Sequence, residues 1–316
     1  MRIIILGTGP FAVPSLQALH STRHPIVCAV SRPPRGRRAQ AAPVTVAATE
    51  LGIETWTPDT VNCDESRGRL SAMQADLLVV CDYGEILKQA TLAVSRLGGI
   101  NLHGSLLPQY RGAAPVQWAV LNGDIETGNT VIQMTPGLDA GPCLGLQRIT
   151  IDPDETAGEL EARMAEQGAE LVLQIVDQLQ KGSAEPVVQD EGQATKAPRL
   201  TKEHGQIDWS RSAPEIKNQV RALQPWPRAY TAWQRPEGEP VRLIVHQVSI
   251  GDCDSPAEAA PGSVVSVEGK LLVATGNGVL SLQQVQPAGK RAMAVEEFLR
   301  GNSVQVGQML IRILFP

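Results

Sequence analysis

Paired cysteines are missing from this sequence. Its five, Cys28, Cys63, Cys81, Cys143 and Cys253, are odd in number, widely spaced and free of any C-x-x-C pair. That pattern argues against a disulfide framework or a zinc site, and reduced thiols are expected. Long hydrophobic runs are missing too. No apolar stretch approaches about 18 residues, the length that would suggest a membrane-spanning helix. No basic-apolar leader precedes the first strand at Arg2. A cytoplasmic protein with no membrane partner is therefore expected. Aromatic residues make up only 3%, and neither an internal repeat nor a low-complexity segment is present. Charge of one sign is not in large excess. The 28 Lys and Arg face 33 Asp and Glu, a net of −5, which does not advertise a nucleic-acid binder.

What remains is the composition of a soluble globular protein, 42% hydrophobic and 19% charged. A chain of 316 residues suggests two domains and is long enough for two cores. Charge divides unevenly between them. Residues 205–316 hold 11 Lys and Arg against 10 Asp and Glu, while the first 204 hold 17 against 23. A nearly neutral second half beside an acidic first half is a weak hint about partners.

Strands and helices alternate through the first half. Residues 2–6 and 76–81 are aliphatic runs that read as buried parallel strands, and residues 26–30 read as another strand. Helices are expected after the first turn through Leu19, over 43–51, over 113–121 and over 156–179. The last carries Leu160, Met164, Leu171, Ile175 and Leu179 on one face. Such alternation predicts an α/β fold, a doubly wound parallel sheet. The turn Gly7-Thr8-Gly9-Pro10-Phe11-Ala12 resembles a dinucleotide fingerprint. That fingerprint expects an acid closing the second strand, roughly 20 residues on. Here the second strand closes on Ser31-Arg32, so a tight strand-to-helix turn is the preferred reading.

Residues 99–112 carry the strongest chemical signal. Ile100 and Leu102 alternate with Asn101 and His103, which puts an amide and an imidazole on one face at a strand's carboxyl end. Gly104 then allows a turn or a close approach. An amide and an imidazole N–H suit a developing oxyanion, and an imidazole moves protons. Asp139, in Gly137-Leu138-Asp139-Ala140-Gly141, is the candidate carboxylate to orient the ring. On residue types alone, a satisfied strand end and a capped turn explain the same residues.

Arg32-Pro-Pro-Arg35-Gly-Arg37-Arg38 packs four arginines into seven residues with two prolines and a glycine. It reads as a basic loop, either solvated or in contact with phosphate. Residues 181–204 are polar and contain Lys196, Arg199 and Lys202. Beyond them the hydrophobic period changes to two. Runs at 231–233, 242–248, 264–268, 271–275 and 279–284 read as short antiparallel strands, with Gly276-Asn277-Gly278 as a hairpin turn. A small β-barrel of the OB type is expected there.

Asn-x-His-Gly-Ser-Leu-Leu-Pro-x-x-Arg-Gly-Ala-Ala-Pro, Asn101 to Pro115, resembles the signature of the folate-dependent formyltransferases. Asp124-x-Glu126-Thr127-Gly128 and Gly137-Leu138-Asp139 fall where that family has them. Arg199-Leu200-Thr201-Lys202-Glu203, Pro225-Trp226-Pro227 and Gln286 to Met293 are similar to the members that act on methionyl-tRNA. The resemblance covers nearly the whole chain. It departs from the family pattern at Asp82, where a small residue is usual, at Thr135 and Ala140, and in the shortness of the basic loop.

The resemblance implies a catalytic domain over 1–189, a linker over 190–204 and a tRNA-binding β-barrel over 205–316. It implies Asn101, His103 and Asp139 as catalytic residues. Ser105, Leu106, Leu107, Pro108, Tyr83, Gly84, Ile86 and Leu87 would hold the folate. Arg35, Arg37, Arg38, Arg199, Lys202 and Lys290 would contact tRNA. The implied donor is 10-formyltetrahydrofolate, the acceptor is initiator Met-tRNA, no metal is called for, and a monomer is expected. Sugar-nucleotide formyltransfer, hydrolysis of the formyl donor and plain RNA binding are the alternatives.

Overall fold

Aliphatic runs form the buried strands, as their composition requires. The structure, a computed structural model, describes residues 1–34, 36, 40–252 and 259–313. Arg35, Arg37 and Arg38 of the basic loop lie outside the described residues. The chain divides into two compact units. One comprises Met1–Val116, Ile125–Ile151 and Glu159–Arg199; the other comprises Gln117–Asp124, Asp152–Gly158 and Leu200–Pro316.

Strands of the first unit are β1 (Ile3–Gly7), β2 (Ile26–Val30), β3 (Thr55–Trp56), β4 (Leu77–Cys81), β5 (Gly99–His103), β6 (Arg111–Gly112), β7 (Glu126–Gln133), β8 (Cys143–Thr150) and β9 (Lys196–Ala197). Its helices are α1 (Val13–His20), α2 (Pro43–Glu50), α3 (Asp64–Ala72), α4 (Gln89–Leu92) and most of the 25-residue α6 (Ala157–Lys181), while α5 (Pro115–Asn122) belongs to the second unit from Gln117 on. The main sheet has the order β3-β2-β1-β4-β5-β7-β8. From β3 to β5 every pairing is parallel. The chain winds outward from β1 to β3, then returns to β4 and β5, so the switch point lies between β1 and β4. The expected parallel sheet thus holds over five strands. β7 and β8 run antiparallel, joined by a turn too short for a crossover. β6 and β9 form a separate two-stranded ladder.

The second unit is built on β10 (Ala229–Trp233), β11 (Val241–Ile250), β12 (Val264–Ser266), β13 (Leu271–Ala274), β14 (Val279–Pro287), β15 (Met293–Ala294) and β16 (Leu310–Ile311), with α7 (Ala213–Ala222) and α8 (Val295–Arg300). Strand order is β12-β13-β14-β11-β10-β16, all antiparallel, with β15 on β14. Bonds from Val264 N to Gln308 O and from Leu310 N to Gly262 O bring the two ends of that order together, so the sheet nearly closes. Its core gathers Ile207, Trp209, Ile216, Trp233, Leu243 and Phe298. Trp233 meets Phe298 edge to face at 5.9 Å.

Among the described residues no helix is long and apolar enough to cross a membrane.

Candidate active site

β5 lies between β4 and β7, with Asn101 opposite Ile132 and His103 opposite Thr130. The two-residue alternation places both polar side chains on one face, as the spacing predicts. β7 runs the other way, so the chain after Gln133 leaves beside Gly99, at the far end of β5 from His103. The loop 134–142 nevertheless brings Asp139 to both residues. Asn101 Nδ2 donates to Asp139 Oδ1 at 3.4 Å. His103 Nδ1 stands 3.7 Å from Asp139 Oδ2, ion-pair distance rather than a hydrogen bond. His103 Nε2 lies 2.9 Å from the Tyr110 carbonyl. A carbonyl only accepts, so Nε2 carries a hydrogen and Nδ1 faces the carboxylate. The ring is therefore held from both sides, and Asn101 keeps one of its two amide hydrogens for another acceptor.

Asp139 is the hub. Its backbone is left-handed, with φ +48°, a conformation that Asp tolerates better than most residues. Gly112 N–H donates to Oδ2 at 2.9 Å. Gly112 has φ +135°, and a Cβ there would lie 2.4 Å from the Ala197 carbonyl oxygen, so only glycine fits between β9 and the carboxylate. Gln189 Nε2 donates to the carbonyls of Asp139 at 2.8 Å and Gly141 at 2.7 Å. Arg111 grips the Gln189 amide oxygen and, through both terminal nitrogens, the Glu191 carboxylate. Sequence reasoning missed Gln189 and Glu191. No motif marks them, because they arrive from 78 and 80 residues downstream of Arg111.

The expected folate residues divide. Ser105 is fully buried, and its hydroxyl donates to Gln109 O within the loop. Leu107 is buried, its N–H bonded to Thr130 Oγ1, and Leu87 is core. The Leu107–Pro108 peptide is cis. The Tyr83 ring is packed in the aliphatic core, and Thr8 Oγ1 donates to its carbonyl. Gly84 has open space at its Cβ position. Glu85 anchors the 83–87 segment through Arg32 Nη1, Asn62 Nδ2, Val61 N–H and the Thr60 hydroxyl. Ile86 stays 57% exposed on that segment, and Leu138, beside Asp139, 53%. Apolar surface of this kind is what a flat ring would cover.

A cleft of about 660 Å³ opens at the switch point, over the carboxyl ends of β1, β2 and β4. Thr8, Gly9, Arg32, Asp82, Gly84 and Arg199 are among its walls. Asp82 is solvent-accessible there but crowded by protein, and desolvation pushes its carboxyl up to about 6. Glu161 of α6 is pushed up to about 7 by desolvation and by the charge of Asp82. Arg199 is exposed in the first unit; Lys202 and Lys290 are exposed in the second.

The sequence matches the formyl transferase family over residues 1–176 and the formyl transferase C-terminal domain family over residues 199–303. A methionyl-tRNA formyltransferase from Desulfotalea psychrophila is 42% identical over 309 residues, covering 96% of this chain and 94% of that protein. Another, from Rhodopirellula baltica, is 42% identical over 326 residues, covering 98% and 97%. The sugar 3N-formyl transferase WlaRD, solved with dTDP and 5-N-formyl-THF, has a TM-score of 0.67 at 17% identity, over 92% of this chain and 99% of that one. HypX from Aquifex aeolicus, in complex with tetrahydrofolic acid, has a TM-score of 0.61 at 14% identity, over 95% of this chain and 47% of that one. At those identities the structural likeness establishes the fold.

Proposed function

The chain belongs to the formyl transferase family, and from that premise we propose that it takes its formyl group from 10-formyltetrahydrofolate and delivers it to the methionine amine of initiator Met-tRNA. Formylation of methionyl-tRNA follows from relatives 40–42% identical over nearly the whole chain. The observation that carries the chemistry is the convergence of Asn101 and His103 on Asp139.

The donor supplies an activated formyl carbon, held against Ile86, Leu138 and the loops that carry them. As the methionine nitrogen bonds to that carbon, its oxygen gains negative charge. The unengaged Asn101 amide hydrogen is a donor for that charge. Asp139 Oδ2, 3.7 Å from Nδ1, orients the His103 ring beside the developing oxyanion. Gln189, Gly112 and Arg111 fix the hub in advance, so little reorganisation accompanies the reaction. The nitrogen loses a proton, and the leaving folate nitrogen gains one.

On this reading residues 1–189 carry the catalysis, 190–204 link, and 205–316 bind tRNA. The basic loop with Arg35, Arg37 and Arg38, together with Arg199, Lys202 and Lys290, contacts phosphates. The protein is read as a cytoplasmic monomer. Single-turnover transfer from 10-formyltetrahydrofolate to initiator Met-tRNA tests this, with His103→Ala as control. Rapid transfer by the wild type and loss in the variant are expected. Absence of transfer to tRNA, with turnover of an amino-sugar nucleotide instead, would replace the acceptor.

A further inference from the structure

We propose that Thr195 is a positioning residue for formyl transfer, one that fixes the Tyr110 carbonyl and through it the His103 ring. The proposal rests on the reading of His103 as a participant in that transfer. Thr195 stands outside the motif that runs from Asn101 to Pro115 and reaches Tyr110 from 85 residues downstream.

The His103 ring has a contact at each nitrogen. At Nε2 the Tyr110 carbonyl lies 2.9 Å away, within hydrogen-bond distance. At Nδ1 the Asp139 carboxylate lies 3.7 Å away. The direction of the ring therefore depends closely on where the Tyr110 carbonyl stands. Tyr110 has φ +61°, in the left-handed region. A bulky residue keeps that conformation where its surroundings enforce it.

Thr195 supplies that enforcement. Two rigid peptide planes meet at the Tyr110 Cα, and Thr195 holds both. In the plane before it, Tyr110 N–H donates to Thr195 Oγ1 at 2.8 Å. In the plane after it, Arg111 N–H donates to the Thr195 carbonyl at 2.9 Å, while the carbonyl of the same plane meets His103. Thr195 N–H donates in turn to the Pro108 carbonyl at 3.2 Å. With both planes held, φ and ψ of Tyr110 are set together. β9 extends the grip, since the Ala197 carbonyl accepts from Ala113 N–H at 2.8 Å. The loop's own bonds close the residues before Tyr110. Ser105 Oγ donates to the Gln109 carbonyl at 2.6 Å, and Gln109 N–H donates to the Leu106 carbonyl at 3.1 Å.

Of the bonds that Thr195 makes here, the one at Oγ1 depends on the side chain. The others belong to its backbone and survive substitution. Serine keeps the hydroxyl acceptor, whereas valine keeps the shape and loses it. Thr195 is exposed, so valine there opens no cavity. Without the acceptor, Tyr110 N–H turns to water and the left-handed backbone is free to relax. The carbonyl then swings from Nε2, and the ring loses the bond that aims it.

The test compares the full-length wild type with Thr195→Val and Thr195→Ser. The first readout is the proton resonance of His103 Nε2–H, assigned by its disappearance in His103→Gln. In the wild type the bond to Tyr110 shields that hydrogen from solvent exchange. The resonance should broaden away in Thr195→Val and persist in Thr195→Ser. The second readout is steady-state formylation of Met-tRNA. Thr195→Val should lose about 10–10²-fold in kcat, the scale of a misplaced catalytic group, with KM for 10-formyltetrahydrofolate nearly unchanged. Thr195→Ser should recover most of the rate. Both variants should melt as the wild type does. Full kcat in Thr195→Val would overturn the proposal, as would a lowered kcat beside an intact resonance. An equal loss in Thr195→Ser, which keeps the hydroxyl, would overturn it too. A lower melting temperature with kcat and resonance unchanged would reduce Thr195 to a stabilising role and likewise overturn it. If the wild type transfers nothing to Met-tRNA, the acceptor reading falls, and the ring resonance still decides whether Thr195 positions His103.

Discussion

The side-chain amide of Gln189 donates to the backbone carbonyl of Asp139 at 2.8 Å and so holds the hub of the active site from a segment fifty residues away. Removing that donor leaves Asp139 on a left-handed backbone with less to keep it there. Gln189→Ala should therefore lower kcat by about 10–10²-fold, the scale of a small misplacement of a catalytic group. KM for the folate should move little. Gln189→Glu should be no better, because it presents an acceptor to two carbonyls. Steady-state kinetics on both variants decide the matter.

Asp139→Asn keeps the shape of the hub and removes its charge. The amide still meets Gly112 N–H, but His103 loses the negative charge that faces its Nδ1. A fall in kcat on the order of 10²–10³, comparable with loss of an oxyanion donor, is expected. Isothermal titration should show folate affinity within a few-fold of wild type. A variant with full kcat would remove Asp139 from the chemistry.

Asp82 should cost stability at neutral pH. Its folded-state pKa is raised from 3.8 to about 6, so between those values the folded protein holds more proton than the unfolded chain. Stability then falls as pH climbs through that window and stays lower above it. Asp82→Asn carries no charge to desolvate. Its melting temperature should match wild type near pH 3.5 and exceed it above pH 6. Thermal melts at pH 3.5, 5 and 7 would show the gap opening.

The capping box of α7 gives the opposite dependence. Glu215 Oε2 accepts from Ser212 N–H at 2.9 Å and from Ser212 Oγ at 2.7 Å, and these bonds lower the Glu215 pKa to about 2. That stabilisation is full above the ordinary carboxylate range and is lost as pH falls toward 2. Ser212→Ala should cost about 1 kcal/mol at pH 7. Glu215→Gln should flatten the acid side of the melting curve. Urea titrations read by the second unit's tryptophan emission test both.

Binding of tRNA should weaken linearly in log salt, since phosphate contacts release counterions. Lys290→Ala should weaken binding to every tRNA alike and reduce the slope by about one. An unchanged slope would take Lys290 off the phosphate-binding surface.

Much of the fold was legible because period and composition suffice for it. β1, β4, β5, α2 and α6 fall within a residue or two of where the aliphatic runs place them. The antiparallel course of β7 and β8 was not legible, since a strand's direction leaves no mark on its own residues. At the site, Asn101 and His103 were readable from alternation. Asp139 was readable only as a turn carboxylate, because loop 134–142 doubles back along the sheet face. Gln189 was invisible: a glutamine in a polar stretch carries no pattern, and its role exists only once Arg111 has folded against it. Ser105 was readable by its place in the motif, but the bond its hydroxyl donates to Gln109 O four residues on was not.

Gly9 and Asp82 occupy one volume, a carboxylate oxygen lying 1.8 Å from where a Cβ on Gly9 would stand. The two positions are therefore coupled. A side chain at position 9 requires the Asp82 carboxylate to swing out of that volume, and a small residue at position 82 removes the requirement. Which of the two changes comes first decides whether the second meets an obstacle, so this corner of the cleft keeps a record of the path by which it was reached.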